Sequence, residues 1–149
     1  MRWPLILACL AGGGAVACQE TASQVRRLEV GTGTTSFVPL EGGTVELVHG
    51  PQGGWHLDVT LRLWDEAPDG VLLDYEVRRQ GEDTPVSTPT QYRVAEERLV
   101  RESDHWLRLG DRVVFAISDP SEVLGAVVEV RAVIDPVEDR DSATVVDVL

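Results

Sequence analysis

The chain has 149 residues with 13 basic and 25 acidic side chains, and its formal net charge at pH 7 is −12. Nucleic acid and bare anionic lipid are disfavoured as partners, because both require clustered basic side chains and the sequence has no such cluster. Cationic partners and divalent ions are compatible with this charge.

The first residues read as an export signal. Arg2 precedes an apolar run that is too short to span a bilayer as a permanent helix. The run closes on Ala15-Val16-Ala17-Cys18, which resembles a bacterial lipobox, in which small residues precede a cysteine that is diacylated, exposed by cleavage and acylated again. Ala15 stands where leucine is commonest. The alternative is an ordinary signal peptide cleaved elsewhere, which leaves Cys18 as a free thiol.

Cleavage before Cys18 divides the chain into a signal peptide (1–17), a tether (18–26) and a single domain (27–149). The mature net charge is then about −13, because Arg2 is the only charged residue lost. The single remaining cysteine carries lipid, so the domain must be stable without a disulfide. More than one acyl chain gives durable membrane anchoring. Gln19 follows the cysteine, which by resemblance to lipoprotein sorting in diderm bacteria favours the outer membrane, on either of its faces.

The first half of the domain contains the clearest strand, at residues 55–64. Odd positions from Trp55 to Leu63 are apolar and the interleaved positions are polar, which predicts one buried and one solvated face. Trp64 and His56 fall on the predicted solvated face, where an indole is placed to stack on a sugar or a partner protein. Other strands are predicted at 28–30, 37–40, 44–48 and 71–79.

The second half of the domain also has the pattern of short strands and turns, and no helix of convincing length is predicted. Residues 95–101 fit either a strand or a single helical turn, Gly110-Asp111 is predicted to be a turn, and the acidic residues 135–141 are predicted to be another. The remaining predicted strands are 90–94, 106–109, 112–118, 123–134 and 143–149.

Seven or eight short strands separated by Gly, Pro and Asp turns predict an all-β fold, an antiparallel β-sandwich of immunoglobulin-like type. A small β-barrel is the alternative. Burying the five apolar side chains of strand 55–63 at about 1.5–3 kcal/mol each gives on the order of 10 kcal/mol before ordering entropy. Several such strands can support a domain that has no disulfide.

The loop in front of the clearest strand is the main candidate for recognition. Pro51 presets one φ angle, while Gly53 and Gly54 permit positive φ, so a compact turn is expected. Gln52 either folds back onto buried backbone groups or points outward to a ligand. The first interpretation is a tight turn that launches the strand; the second is a recognition loop at the end of the domain. The candidate binding residues are Gln52, Gly53, Gly54, Trp55 and His56.

Three histidines raise the alternative of a periplasmic copper- or zinc-binding module. His49 and His56 flank the loop and are its candidate ligands, while His105 lies far along the chain. Imidazole suits both metals, but solvated or hydrogen-bonded histidines are the competing interpretation.

Calcium is a further possibility, because the acidic residues 135–141 offer oxygen ligands, with Asp65, Glu66 and Asp69 as distant additions. The sequence lacks the ordered spacing of a calcium loop, and an acidic hairpin is commonly only solvated.

No catalytic motif is present: the sequence has no nucleophile elbow, HExxH, phosphate-cradling glycine loop or paired Ser/His/Asp spacing. We therefore assign no catalytic residue and no cofactor. The sequence predicts a non-enzymatic, membrane-anchored interaction or structural module of the cell envelope, with an envelope protein as its candidate partner.

Three segments carry a family resemblance. Phe37-Val-Pro-Leu-Glu-Gly-Gly, the run from His49 to His56, and the closing pattern Val-Glu-Val-Arg-Ala-Val-Ile-Asp resemble uncharacterised lipoproteins of myxobacterial type. Such proteins look like single immunoglobulin-like domains with a Gly-Pro-Gln-Gly-Gly-x-His loop. The resemblance covers residues 15–149 in outline and implies a location and a fold, but no activity.

Overall fold

The computed structural model describes residues 27–64 and 68–148. The predicted signal peptide (1–17), Cys18, the tether (18–26), Asp65 and Glu66 all lie outside the described residues. The strands are β1 (Arg27–Thr32), β2 (Val38–Pro39), β3 (Thr44–His49), β4 (Trp55–Trp64), β5 (Leu72–Arg79), β6 (Thr90–Arg93), β7 (Leu99–Glu102), β8 (His105–Val114), β9 (Val127–Ile134) and β10 (Val137–Asp147). Within these ranges the structure contains no helix long and apolar enough to cross a membrane.

The strands form one curled, mixed sheet, and the predicted all-β class is confirmed. β4 lies between β8 on one edge and β1 and β3 on the other. β3 also pairs with β10, so it joins the part of the sheet around β4 to the part that contains β10, β9, β5 and β6. The pairing of β3 with β10 is parallel, and in this one ladder the structure differs from the expected antiparallel arrangement.

The acidic segment predicted to be a turn is part of a strand. The turn contains only Asp135 and Pro136, and β10 begins directly after it. Asp139 accepts the backbone N–H of Val30 at 2.8 Å, and Glu138 pairs with Arg131 on the neighbouring strand. Acidic residues are typical of turns, but here they are satisfied by sheet neighbours that are distant in sequence.

The ambiguous segment 95–101 contains both predicted alternatives in succession. A 3-10 helical turn covers Glu96–Arg98, and β7 follows directly. A second 3-10 turn, Pro120–Glu122, is capped by Asp119. A further turn follows it, so the strand predicted to begin at residue 123 begins at Val127.

The predicted turn at Gly110-Asp111 is wrong, because β8 runs without interruption through these residues. Val59 pairs with Asp111 and Leu61 with Arg108, so one residue of β4 opposes two of β8. This is a β-bulge, and Gly110 adopts the left-handed φ of 64° that such a bulge requires. Because the extra residue reverses the alternation, Arg108 and Asp111 both face the interior.

The core lies inside the curl of the sheet. As predicted, the apolar positions of β4 face the core: Leu57, Val59, Leu61 and Leu63 are at most 1% exposed, and Trp55 is half-buried. The prediction of a solvated opposite face is wrong for His56 and Thr60, which are also buried.

Residues 33–37 cover that opposite face of β4. The Thr60 hydroxyl donates to the backbone oxygen of Gly33, and the Arg62 guanidinium lies 4.1 Å from the centre of the Phe37 ring. The Phe37 ring fits against Gly31 because glycine has no side chain: a Cβ on residue 31 would lie 2.6 Å from the ring. This covering segment is why Thr60 is buried and Arg62 is only partly exposed.

Candidate functional site

The ten residues of β4 separate two ends of the domain. The candidate loop, residues 50–54, precedes Trp55, whereas Trp64 at the far end pairs with Arg27, the first residue of β1. At about 3.3 Å per residue these ends are about 30 Å apart. We call them the loop end and the entry end. The chain therefore enters the domain at the end opposite the candidate loop.

The loop is held by its own backbone. Gly50 N donates to the oxygen of Gly54, and Gly53 N donates to the oxygen of Gly50, both at 3.0 Å. Gly53 and Gly54 have φ of 84° and 83°, and a Cβ at either position would meet nothing within 4 Å. The glycines are thus required by backbone conformation and not by crowding.

The Gln52 side chain does not fold back onto the backbone. Residues 51–54 are exposed, and the Gln52 side chain forms no hydrogen bond with any other residue that the structure describes. Its amide points to solvent from a defined turn, where it is free to contact a partner.

An aromatic pair forms the base of the loop. His49 and Trp55 are directly paired across β3 and β4, with ring centres 4.6 Å apart and planes inclined by 37°. His49 is exposed, while Trp55 is half-buried and packs against the core. Trp55 therefore links the exposed loop to the hydrophobic interior.

His56 lies beneath the loop and not on its surface. It is 6% exposed, and its Nδ1 is 3.8 Å from the position that a Cβ on Gly50 would take. Burial lowers the pKa of His56 below its usual value of 6.5, opposed by Asp58, whose Oδ1 is 3.7 Å from Nε2, and assisted by Arg112. His56 is consequently neutral at pH 7 and supports the loop from below.

The candidate metal ligands do not converge. Val48 pairs with His56 and His49 pairs with Trp55, so the two imidazoles face opposite sides of the hairpin. His105 lies at the entry end, 5.2 Å from the Trp64 ring. In residues 27–64 and 68–148 there is no group of three or more His, Cys, Asp or Glu side chains that could hold a metal ion.

The acidic candidates for calcium are engaged elsewhere. Asp141 accepts the backbone N–H of Glu41 at 2.7 Å, and Asp69 accepts that of Glu96 at 2.9 Å. With Asp139 bonded to β1 as well, these carboxylates serve as backbone acceptors in different parts of the domain.

Trp64 is also less free than predicted. The Arg27 guanidinium lies 4.4 Å from its ring, and its Nε1 donates to Asp104 at 3.3 Å. His105, on β8, also lies beside the Trp64 ring. These contacts within the domain leave the indole half-buried.

Sequence reasoning missed a buried polar cluster created by the bulge. Asp111 accepts hydrogen bonds from Tyr75 OH at 2.9 Å and from Arg108 Nε at 2.5 Å. The Arg108 guanidinium lies 5.3 Å from the Tyr92 ring, and Tyr92 OH donates to the backbone oxygen of Arg112 at 2.8 Å. The only sequence signal was a glycine inside an alternating strand, which indicates a bulge as well as a turn.

Both tyrosines of the cluster are hydrogen-bond donors at neutral pH. Burial raises the pKa of Tyr75 well above 10, and the nearby Asp111 carboxylate raises it further. Burial also raises the pKa of Tyr92, again with a contribution from Asp111. The cluster ties β8 to β5 and β6 across the interior, which is a structural role.

A surface groove of about 430 Å³ lies beside β5. Its charged side chains already have partners: Asp74 accepts from Gln91 at 2.8 Å, Glu76 pairs with Arg78, and Arg131 pairs with Glu138. These internal contacts leave the groove without a free charged group to select a ligand.

Comparison with family models, curated proteins and solved structures found no match to the chain. The interpretation of the site accordingly depends on its own residues.

Proposed function

We propose that this chain is a lipid-anchored, non-catalytic cell-envelope protein whose β domain presents the loop 50–54 to a partner protein. The lipobox-like residues ending at Cys18 support the anchor, Gln19 supports the outer membrane, and the resemblance to myxobacterial-type lipoproteins with an immunoglobulin-like domain supports both.

One observation carries the proposal. The exposed, internally hydrogen-bonded loop lies at one end of β4 and the first residue of β1 lies at the other. A lipid at Cys18 joins the domain through residues 19–26 at the entry end, so the loop is about 30 Å farther along the domain from the attachment point. That position suits a contact with a partner away from the anchor.

The loop also has the properties of a contact surface. Its backbone is fixed before binding, which lowers the entropic cost of association. Gln52 offers both a donor and an acceptor, and the His49–Trp55 pair supplies aromatic area at its base. Aromatic anchors surrounded by polar groups are typical of the residues that dominate binding energy.

Affinity capture from envelope extract tests the loop. The tagged, lipidated protein is compared with Gln52→Arg and with Gln91→Arg, the same substitution on the exposed edge strand β6. We expect Gln52→Arg to reduce a specific captured protein by about tenfold, a loss of about 1.4 kcal/mol, while Gln91→Arg leaves it unchanged. Equal capture by all three proteins would contradict the assignment of the loop.

The anchor is tested separately by mass spectrometry of the mature chain. The proposal predicts an N-terminal Cys18 that carries acyl chains. A mature chain with an unmodified Cys18, or with a start elsewhere, would contradict it.

A further inference from the structure

Two indole–guanidinium stacks lie at the entry end of the domain. The Arg27 guanidinium lies 4.4 Å from the centre of the Trp64 ring, and the Arg101 guanidinium lies 4.9 Å from the centre of the Trp106 ring. Each stack joins residues that are directly paired between neighbouring strands. Trp106 also pairs with Leu63, the residue before Trp64, so the two indoles lie within one residue step of each other along the strands.

Both stacks are accessible from outside the domain. The indoles are half-buried and the arginines are exposed, as is the apolar side chain of Val100 on β7. Arg27 also pairs with Glu29 on its own strand, whereas Arg101 forms no ion pair with any residue that the structure describes. Such a combination suits the boundary between water and lipid, where an indole enters the headgroup layer and a guanidinium remains at its polar level.

Carboxylates lie beside the same stacks, so the entry end carries charges of both signs. Glu102 follows Arg101 on β7 and is exposed, and Asp104 accepts the indole N–H of Trp64. Hydrogen bonds with His105 and Trp64 lower the pKa of Asp104, so its carboxylate is ionised at neutral pH. A zwitterionic phospholipid offers a phosphate to the arginines and a cationic group to the carboxylates. An anionic headgroup lacks that cationic group and is repelled by the net charge of −12.

The proposed anchor holds this end close to a bilayer. Nine residue steps (27 minus 18) separate Cys18 from Arg27, and they span at most about 30 Å even when fully extended. A tether of this length raises the effective concentration of the domain at the membrane to about the millimolar range. A contact that is weak in isolation is therefore sufficient to fix the orientation of the anchored domain.

We propose that the entry end docks on the zwitterionic headgroups of the bilayer that holds the lipid anchor. The proposal rests on the proposed function, because it requires a lipid on Cys18. The guanidinium groups of the two stacks donate charge-assisted hydrogen bonds to headgroup phosphates, the exposed edges of the two indoles enter the headgroup layer, and Glu102 accepts from the headgroup ammonium of phosphatidylethanolamine. With this end on the membrane, the loop 50–54 faces away from it, toward a partner.

Quenching of tryptophan emission by a headgroup nitroxide tests the docking. The lipidated protein is reconstituted in vesicles of phosphatidylethanolamine and phosphatidylcholine, and the phosphatidylcholine carries the nitroxide. After loss of the signal peptide, Trp55→Phe emits only from the entry end and Trp64→Phe/Trp106→Phe only from Trp55 at the loop end. We expect strong quenching of the first variant and little quenching of the second. Equal quenching would overturn the proposal, because it would show that the tethered domain has no fixed orientation.

Reversal of one arginine charge tests the docking even if the double tryptophan variant fails to fold. In the Trp55→Phe background, Arg101→Glu is compared with Arg112→Glu, which changes an exposed arginine that also has no ion pair in the described structure. Arg112 pairs with Asp58, six residues before Trp64 on β4, so it lies about 20 Å from the entry end. We expect Arg101→Glu to lower the ratio of docked to undocked protein by about tenfold and Arg112→Glu to lower it by less than about twofold. Equal losses would overturn the proposal.

The lipid composition tests the chemistry of the headgroup. Replacing phosphatidylethanolamine with phosphatidylglycerol removes the headgroup ammonium and adds net negative charge to the bilayer. We expect this replacement to reduce the quenching of Trp55→Phe, because the acidic domain is repelled from the surface. Quenching that is unchanged or greater on phosphatidylglycerol would overturn the assignment of a zwitterionic headgroup.

Failure of the docking is distinguishable from failure of the proposed function. Mass spectrometry of the same preparation reports the lipid on Cys18, and an unmodified Cys18 would overturn both the anchor and the docking that rests on it. A lipidated chain whose entry-end tryptophans are not quenched would overturn the docking alone. Strong quenching of those tryptophans together with unchanged capture by Gln52→Arg would support the docking and contradict the assignment of the loop.

Discussion

Removal of the Asp111 carboxylate tests the stabilising role of the buried cluster. Asp111, Arg108 and Tyr75 are at most 4% exposed, and Asp111 is the acceptor for both of the others. Asp111→Ala leaves a guanidinium in the interior without its counter-charge and a phenol without its acceptor. Arg108 Nη1 is buried and has no hydrogen-bond partner in the described structure, and the Tyr92 ring, 5.3 Å away, does not replace the lost charge.

The expected loss is large. Breaking a buried ion pair by removing one partner costs about 3–5 kcal/mol, whereas a domain of this size is stable by only about 5–15 kcal/mol. With a urea m value of about 2 kcal/mol/M, the unfolding midpoint should fall by about 2 M. Tryptophan fluorescence of a mature chain carrying Cys18→Ala, which lacks the lipid, reports the transition.

Asp104→Ala is the matched control. Asp104 also accepts hydrogen bonds, from Trp64 and His105, but it is exposed, so its loss should shift the midpoint far less. The double variant Arg108→Met/Asp111→Leu replaces the pair with apolar groups and should recover most of the stability. If Asp111→Ala shifted the midpoint no more than Asp104→Ala, the reasoning on the buried pair would be refuted.

Three other predictions concern the loop, the covering segment and the anchor. The pKa of His56 in the folded protein is lowered from 6.5, so the unfolded chain binds a proton first as the pH falls through 6.5. The thermal unfolding midpoint of the wild-type protein should therefore fall in this pH range, whereas that of His56→Gln should stay level. Gly53→Ala should lower the free energy of unfolding by about 1 kcal/mol for its positive φ alone. Gly31→Ala should lower it by about 1–3 kcal/mol, because its Cβ meets the Val38 backbone oxygen and the Phe37 ring. Urea titrations that give equal losses would contradict this ranking. Cys18→Ala should move the protein from the membrane fraction to the aqueous one, and full retention in membranes would count against lipidation.

Local sequence patterns predicted many of the strands, but they did not predict which polar residues of β4 are buried. The alternation in β4 identified its buried apolar side, because burial of that side depends on the strand itself. The burial of Thr60 on the other side depends on residues 33–37, which fold back over the strand through Gly33 and Phe37. His56 is buried beneath the loop, beside Gly50. No pattern within β4 could reveal that cover.

The same limit explains the misplaced turns. Gly110-Asp111 is a local turn signal, and only its register against β4 makes it a bulge that buries Asp111. The acids of β10 likewise suggested a solvated loop until Arg131 and the backbone of β1 supplied their partners.

For the candidate site, sequence reasoning located the loop and its glycines, which are local features. It left the direction of Gln52 open and placed His56 in solvent, since both depend on packing.

Photo-crosslinking in intact cells tests the central claim most directly. A photoreactive benzophenone residue replaces Gln52 in the lipidated protein, and the matched position is Glu102, which is exposed at the entry end beside His105. We predict a discrete adduct with an envelope protein from position 52 and none of that mass from position 102. No adduct from position 52, or the same adduct from both positions, would contradict the account.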